Sequence, residues 1–453
     1  MKKTFLLTLT AACAFAAAAH TPDSAATVMR LPLDKCVEIA LSSNPTIKVN
    51  DMEIKRSDYS KKENMAQLFP QISFAGNYQR TIELQTINMN MGGQTQSFKM
   101  GSDNQWNFGF SASMPLIAPT LWKSISISDT QIMQSVETAR ASRLDMVNQV
   151  NCAYYALMLA EASYNVIHDN YDVARLNADT YKKRFEQGTA TEYDVLRSSV
   201  QVKNIEPELL QADISIKQCA LQLKVLMGIS DNVDIRPTQT LEDLREKMNS
   251  YTSALDPSLA DNTSLRTLDL QAKMLRQNVA LQKLQFLPTL SASFNLNWNA
   301  LSNGNALKNQ QFNPYSNVGL TLSLPIFTGG SRMYGLKSAK LQLTEIGLQR
   351  EDLLNNLRMQ VDLAIDNINK QARQINTSEE GVREAMKAHE IMQKSFDIGA
   401  ATYLDLRDSE LADTSARLSF YQAIYNYLVS TSQLDMLLGK ETAAASTAPF
   451  TRK

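Results

Sequence analysis

Two short stretches decide how this chain is read: "GTATEYDVLR" (188–197) and "GAATYLDLRD" (399–408). Both carry Gly-x-Ala-Thr with an aspartate three residues after the threonine, 211 positions apart (399 − 188). Each interrupts what otherwise reads as one very long helix. Thr191-x-x-Asp194 and Thr402-x-x-Asp405 fit capping boxes, which place a threonine at a helix start and a carboxylate on its free first-turn amides. Gly188 and Gly399 are expected to end the preceding helix in the left-handed conformation. Each stretch therefore predicts a helix–turn–helix reversal. The copies differ at their last position, where Asp408 stands against Arg197.

Working outward, the two halves of the chain line up in order. "LFPQISFAGNYQ" (68–79) matches "FLPTLSASFNLN" (286–297), and "SMPLIAP" (113–119) matches "SLPIFTG" (323–329). "LKVLMG" (223–228) and "LDMLLG" (434–439) close the two halves. Ordered matches at nearly one spacing indicate a tandem repeat. Each half reads helix, strand, loop, strand, very long helix, break, helix. The expected divisions are a first repeat over 28–230, a connector over 231–260 with a short helix near 241–249, a second repeat over 261–440, and a loose tail over 441–453.

Four segments alternate strictly between apolar and polar residues, the period of a strand. They are 71–79, 105–114, 289–299 and 317–324; in the second, Trp106, Phe108, Phe110, Ala112 and Met114 alternate with Asn107, Gly109, Ser111 and Ser113. Such strands suit a half-buried soluble sheet. They also suit the wall of a transmembrane barrel, apolar toward lipid and polar toward a watery lumen, for which about 9–11 residues per strand suffice. The small uncharged polar faces and the long polar loops "TIELQTINMNMGGQTQSFKMGSD" and "ALSNGNALKNQQFNP" favour the barrel. Four strands cannot close one, and open edges are not tolerated in lipid, so the chain would have to oligomerise.

The helical segments are too long for a globular core. Residues 124–187 and 331–398 would each run roughly 95–100 Å at about 1.5 Å per residue. Apolar lines such as Leu353, Leu357, Val361, Ile365 and Ile368 give each a narrow stripe, as in a bundle or coiled coil. Helices of this length must line one another as a tube or rod. Pro207 is an expected interruption of the first returning helix.

The bulk numbers narrow the function classes. The 453 residues hold 45 basic and 46 acidic side chains, which leaves no nucleic-acid footprint. Mean hydropathy is −0.26, and no interior run approaches the roughly 18 apolar residues of a membrane-spanning helix. "MKKTFLLTLTAACAFAAAAH" begins with a Lys2-Lys3 n-region followed by an apolar run, the pattern of a signal peptide over 1–19. Cys13 is an alternative lipidation site. Cys36, Cys152 and Cys219 make no disulfide framework, and the isolated His20, His168 and His389 read as ordinary residues rather than metal ligands. No cofactor is implied.

An exported chain with these two repeats resembles the TolC-like outer membrane efflux protein family over roughly 31–440. The resemblance is carried by "LPLDKCVEIALSSNP" (31–45), the "LFP" and "FLP" strand entries, and "LPIFTGGSR" (324–332). It implies an α+β membrane protein: a homotrimer whose β-barrel, four strands per chain, continues as a long α-helical barrel across the periplasm. The implied role is a passive outer-membrane exit duct of a tripartite efflux or type I secretion system. Its implied partners are a periplasmic adaptor (membrane fusion) protein, an inner-membrane transporter and outer-membrane lipid.

The resemblance also implies that Asp405 and Asp408 line the periplasmic mouth as rings of carboxylates, whose pKa values would tend upward as like charges converge. Capping alone is the alternative role for Asp405. Phe396, Ala401 and Tyr193 depart from the groups that lock the mouth of the family's best-known member, and an Arg197–Asp408 contact between neighbouring hairpins is a candidate replacement. "FTGGSR" (327–332) lacks the ending of a phosphate loop and reads as a strand-to-helix turn. The rival functions are a periplasmic coiled-coil scaffold or adaptor without a barrel, and an exported enzyme. The enzyme is disfavoured because no nucleophile–base or metal constellation appears.

Overall fold

The structure, a computed structural model, describes residues 27–91, 94–229, 233–248, 258–304 and 311–441. The expected signal peptide, Cys13, His20 and the tail from 442 lie outside these residues, as do 231–232 and 249–257 of the connector.

Four strands form one antiparallel sheet: β2 (Gln71–Arg80), β5 (Asn104–Ile117), β7 (Thr289–Ser302) and β8 (Asn313–Ser323). Their order is β2-β5-β7-β8, so the two halves of the chain meet at the β5–β7 pair. The register brings the apolar sides together. Phe74 lies opposite Phe110, Phe110 opposite Leu296, and Phe294 opposite both Ala112 and Val318. The other face is a polar ladder in which Ser73 and Ser111 hydroxyls meet at 2.7 Å and Asn295 Nδ2 donates to Asn317 Oδ1 at 2.9 Å. β5 and β7 approach closely at Gly109, where a Cβ would stand 2.4 Å from the Leu296 carbonyl oxygen. Among the described residues β2 and β8 each have one neighbour and are edges.

The stretch joining β2 to β5, expected to be a polar loop, contains a hairpin of β3 (Gln85–Met91) and β4 (Gln94–Met100). Ile87 faces Phe98 on one side while Asn88 faces Ser97 on the other. The period of two was there, but Asn, Gln and Thr blurred its apolar half.

Below the sheet stand α2 (Pro45–Ala66), α3 (Pro119–Glu186), α4 (Glu192–Met227), α6 (Thr263–Leu284), α7 (Ser331–Asp397) and α8 (Tyr403–Leu437). α3 begins at Pro119, whose missing N–H costs nothing at a first helical position. At 68 residues it is about 100 Å long. α4 runs unbroken through Pro207, against the expected interruption. Only one backbone bond is lost there, and packing along α3 spans the whole helix.

α3 packs against α2 and α4 on one side and α6 and α8 on the other, and α7 packs only beyond α6 and α8. The molecule is thus four columns, in the same order as the strands that α2, α3, α6 and α7 adjoin. In two columns a pair of shorter helices abuts end to end. Asn44 caps α2 through the Thr46 amide at 2.8 Å, and its Nδ2 donates to the Leu226 carbonyl at the end of α4, also at 2.8 Å. Asn262 does the same for α6 and α8, accepting from the Leu265 amide at 2.9 Å and donating to Leu437 O at 2.7 Å.

A belt midway down the helices carries the main apolar core. There α1 (Leu33–Ser43), the parallel pair β1 (Thr27–Leu31) and β6 (Val233–Pro237), and α5 (Leu241–Lys247) pack on α3, α4 and α8. Cys36, Tyr154, Leu157, Leu223, Ile235 and Ile424 are buried in it. Burial pushes the Cys36 thiol up to about 11, so it is an inert core group. No helix among the described residues is long and apolar enough to cross a membrane.

Candidate functional site at the helical tips

The two reversals at the far end of the columns have nearly identical local chemistry. Gly188 and Gly399 sit at φ 75° and 76° with open space where a Cβ would be, so backbone conformation and not crowding asks for glycine. The Thr189 amide donates to Arg184 O and the Ala400 amide to Ser395 O, both at 2.8 Å, the long bond of a Schellman closure. Asp194 Oδ2 then accepts from the Thr191 amide at 3.0 Å and its hydroxyl at 2.6 Å. Asp405 Oδ2 makes the same two bonds to Thr402, at 3.0 and 2.6 Å.

These threonine hydroxyl and backbone donors hold both carboxyls below their ordinary range. In a single chain Asp405 therefore titrates downward, opposite to the rise expected of converging carboxylates, because the cap favours the ion. Asp408 lies one turn further along α8 and is exposed.

Arg197 does not reach Asp408 within the chain. Its guanidinium lies 5.4 Å from the centre of the Tyr403 ring, so within one chain Arg197 is a cation over an aromatic face, and an Arg197–Asp408 contact belongs to neighbouring copies. Tyr403 belongs to a cluster that ties the two hairpins together. Tyr181 stands edge-on to it at 5.3 Å and lies 6.2 Å from Phe396, with Arg184 5.7 Å over the Phe396 ring. Sequence reasoning flagged Phe396 only as a departure; the long-range partner that gives it a role, Tyr181, carries no local signal.

Deeper in the same column pair sits a polar cluster that the sequence reading also missed. Glu410 is 8% exposed and accepts from Asn177 Nδ2 at 3.2 Å. Burial raises its pKa. With Asp169, His389, Asp413 and Arg417 it lines a cavity of about 140 Å³, where Arg417 pairs with Asp413 at 2.9 Å. His168, read as isolated, pairs with Asp172 one turn on at 3.3 Å. Among the described residues no three His, Cys, Asp or Glu side chains are placed to hold a metal ion.

The family model described as "Outer membrane efflux protein" matches residues 36–229 and 254–440. The chain belongs to this family. Outer membrane protein TolC of Vibrio cholerae is 22% identical over 340 residues, covering 73% of this chain and 76% of the relative. The alkaline protease secretion protein AprF of Pseudomonas aeruginosa is 23% identical over 411 residues, covering 88% and 83%. Among solved structures, CusC superposes with a TM-score of 0.73 at 15% identity over 92% of this chain and 95% of that one. The open state of the Neisseria gonorrhoeae MtrE outer membrane channel gives 0.71 at 18% identity, over 92% and 93%. At these identities the superpositions speak for the fold. As an outer membrane efflux protein the chain resides in the bacterial outer membrane and extends into the periplasm, and the relatives named are channels and secretion components rather than enzymes.

Proposed function

We propose that three copies of this chain close into an outer-membrane exit duct that conducts substrates passively from a periplasmic pump–adaptor complex to the exterior. The observation that carries this reading is the pair of open edges. β2 ends one side of the sheet and β8 the other, above α2/α4 and α7, which likewise end the helical layer. β2 leads away from the helices and β8 leads back to them, so the edge of one copy can pair antiparallel with the unlike edge of the next. Rotation then closes the ring with no free edge in lipid. Three copies give a twelve-stranded barrel, a permitted even number. Edge residues support it: Val318, Leu320 and Leu322 on β8, with Leu341 and Leu348 on α7 and Leu210, Leu221 and Val225 on α4, are all at least half exposed in one copy.

Around the closed mouth, Asp405 and Asp408 would form two carboxylate rings, the first also capping α8. The exposed Tyr193, Leu196, Leu404 and Leu411 beside them fit a docking face for a periplasmic adaptor, itself joined to an inner-membrane transporter. The relatives bear names tied to different cargo, protease secretion for AprF and pyoverdine export for OpmQ of P. aeruginosa; the cargo here is assigned to the pump.

Reconstitution into planar bilayers tests the duct. A detergent-extracted trimer should give steady cation-selective conductance, and Asp405→Asn/Asp408→Asn should weaken block by multivalent cations. A detergent-free monomer with no conductance would sink the reading.

A further inference from the structure

The four places where a strand meets a helix are greasy first and basic just beyond. Phe69 precedes β2; Leu116, Ile117 and Trp122 flank the start of α3; Phe286 and Leu287 follow α6; Ile326 and Phe327 precede α7, Tyr334 lies in its first turn, and every one is exposed. Within about fourteen ångströms of the helix ends at these junctions stand Lys123, Lys283, Arg332, Lys337 and Lys340. None of these pairs with a carboxylate among the described residues. Arg332 donates instead to the carbonyls of Pro325 at 2.6 Å and Gln285 at 3.1 Å, 5.0 Å over the Phe286 ring. Lys337 Nζ lies 5.6 Å from the centre of the Tyr334 ring.

Beneath β2 the cations are already neutralised, Lys61 by Asp129 and Lys62 by Asp58, both at 2.7 Å. Elsewhere carboxylates are withheld. From Leu270 to Thr344 and from Asn104 to Ser128 the chain has no Asp or Glu, although 46 of its 453 residues are acidic. A soluble surface with near-zero net charge intersperses its signs, as the lower helices do. An uncompensated cationic level under an aromatic one fits a different neighbour, a layer of phosphate beneath hydrocarbon.

We propose that this collar binds the phosphate headgroups of anionic phospholipid in the leaflet facing the helical part. The inference rests on the exit-duct reading, which sets the sheet in the bilayer. Apolar junction residues lie at the edge of the hydrocarbon, and the lysine stems reach along them so that the ammonium groups meet the headgroup phosphates. Arg332, held by backbone carbonyls, anchors one side of that surface, and Lys283 stands on the neighbouring column.

Full-length protein in nanodiscs of mixed phosphatidylglycerol and phosphatidylcholine, with retained lipid counted by native mass spectrometry, tests this. Wild type should retain phosphatidylglycerol with a preference of at least about five-fold. Lys123→Gln/Lys283→Gln/Lys337→Gln/Lys340→Gln should lose most of that preference. Lys182→Gln/Lys183→Gln/Lys370→Gln/Lys387→Gln, which removes the same charge from the lower helices, should keep it. Equal preference in the collar variant, or equal loss in the control, overturns the collar. Stripping of the lipid by millimolar inorganic phosphate alone would make this a free-anion site and overturn the lipid assignment. A wild type that inserts without preference overturns the collar alone, and one that never enters the bilayer overturns the duct reading with it.

Discussion

Asn262 and Glu410 show what single residues do that their types do not announce. Asn262 is 4% exposed and closes two helix ends at once. Asn262→Ala removes a cap and leaves the Leu437 carbonyl unpaired, so it should cost about 2–3 kcal/mol. Hydrogen exchange in the first turn of α6 and the last turn of α8 should rise together; change in one alone would contradict the clamp. Glu410 behaves in the opposite way. Burial lifts its pKa above the 4.5 of a free side chain, so the folded protein holds that proton more tightly than the unfolded chain. Its contribution favours folding below pH 4.5 and is lost as pH rises through the raised folded value. Glu410→Gln should therefore be more stable than wild type at neutral pH, by on the order of 1 °C in melting midpoint, and flatter above pH 4.5. The caps at Asp194 and Asp405 run the other way, complete above about pH 4 and weakening below it. Those caps were legible as a four-residue pattern. Glu410 was not, because it is buried where α8 packs on α3, and its amide partner Asn177 lies 233 positions away in sequence.

At the scale of the elements, pattern and pairing separate. Alternation told which side of each strand is apolar, and the structure keeps those sides. It did not tell that β5 pairs with β7, because a period of two is the same for any neighbour. Gly109 marks that pairing. Gly109→Ala would set a Cβ 2.2 Å from Asn297 Oδ1 and 2.4 Å from a backbone oxygen, which no rotamer change relieves. The variant should lose about 2 kcal/mol or more and yield little folded protein, whereas Gly76→Ala, with its nearest neighbour at 3.7 Å, should fold normally. Between the hairpins the same distinction holds. Each turn was fixed locally, but the Tyr181–Phe396–Tyr403 contacts depend on how the two hairpins lean together.

For the whole molecule the proposed closure makes one copy unfinished. Leu320 on edge strand β8 is 68% exposed and has no second strand beside it among the described residues. On the proposed closure, Leu320→Asp places a charge on the lipid side and should abolish the detergent-stable trimer, while Thr321→Asp, on the polar face, should leave it assembled. Native mass spectrometry distinguishes the two, and a trimer that survives Leu320→Asp would contradict the barrel. What the sequence determined by itself was what is set by neighbours a few residues apart: the two very long helices, the strand faces, and the glycine-and-threonine turns. Only the tertiary structure decided the column order, the end-to-end stacking at Asn44 and Asn262, and the turn of Arg197 onto Tyr403. Those depend on which distant segments meet, and local periodicity holds no information about partners hundreds of residues away.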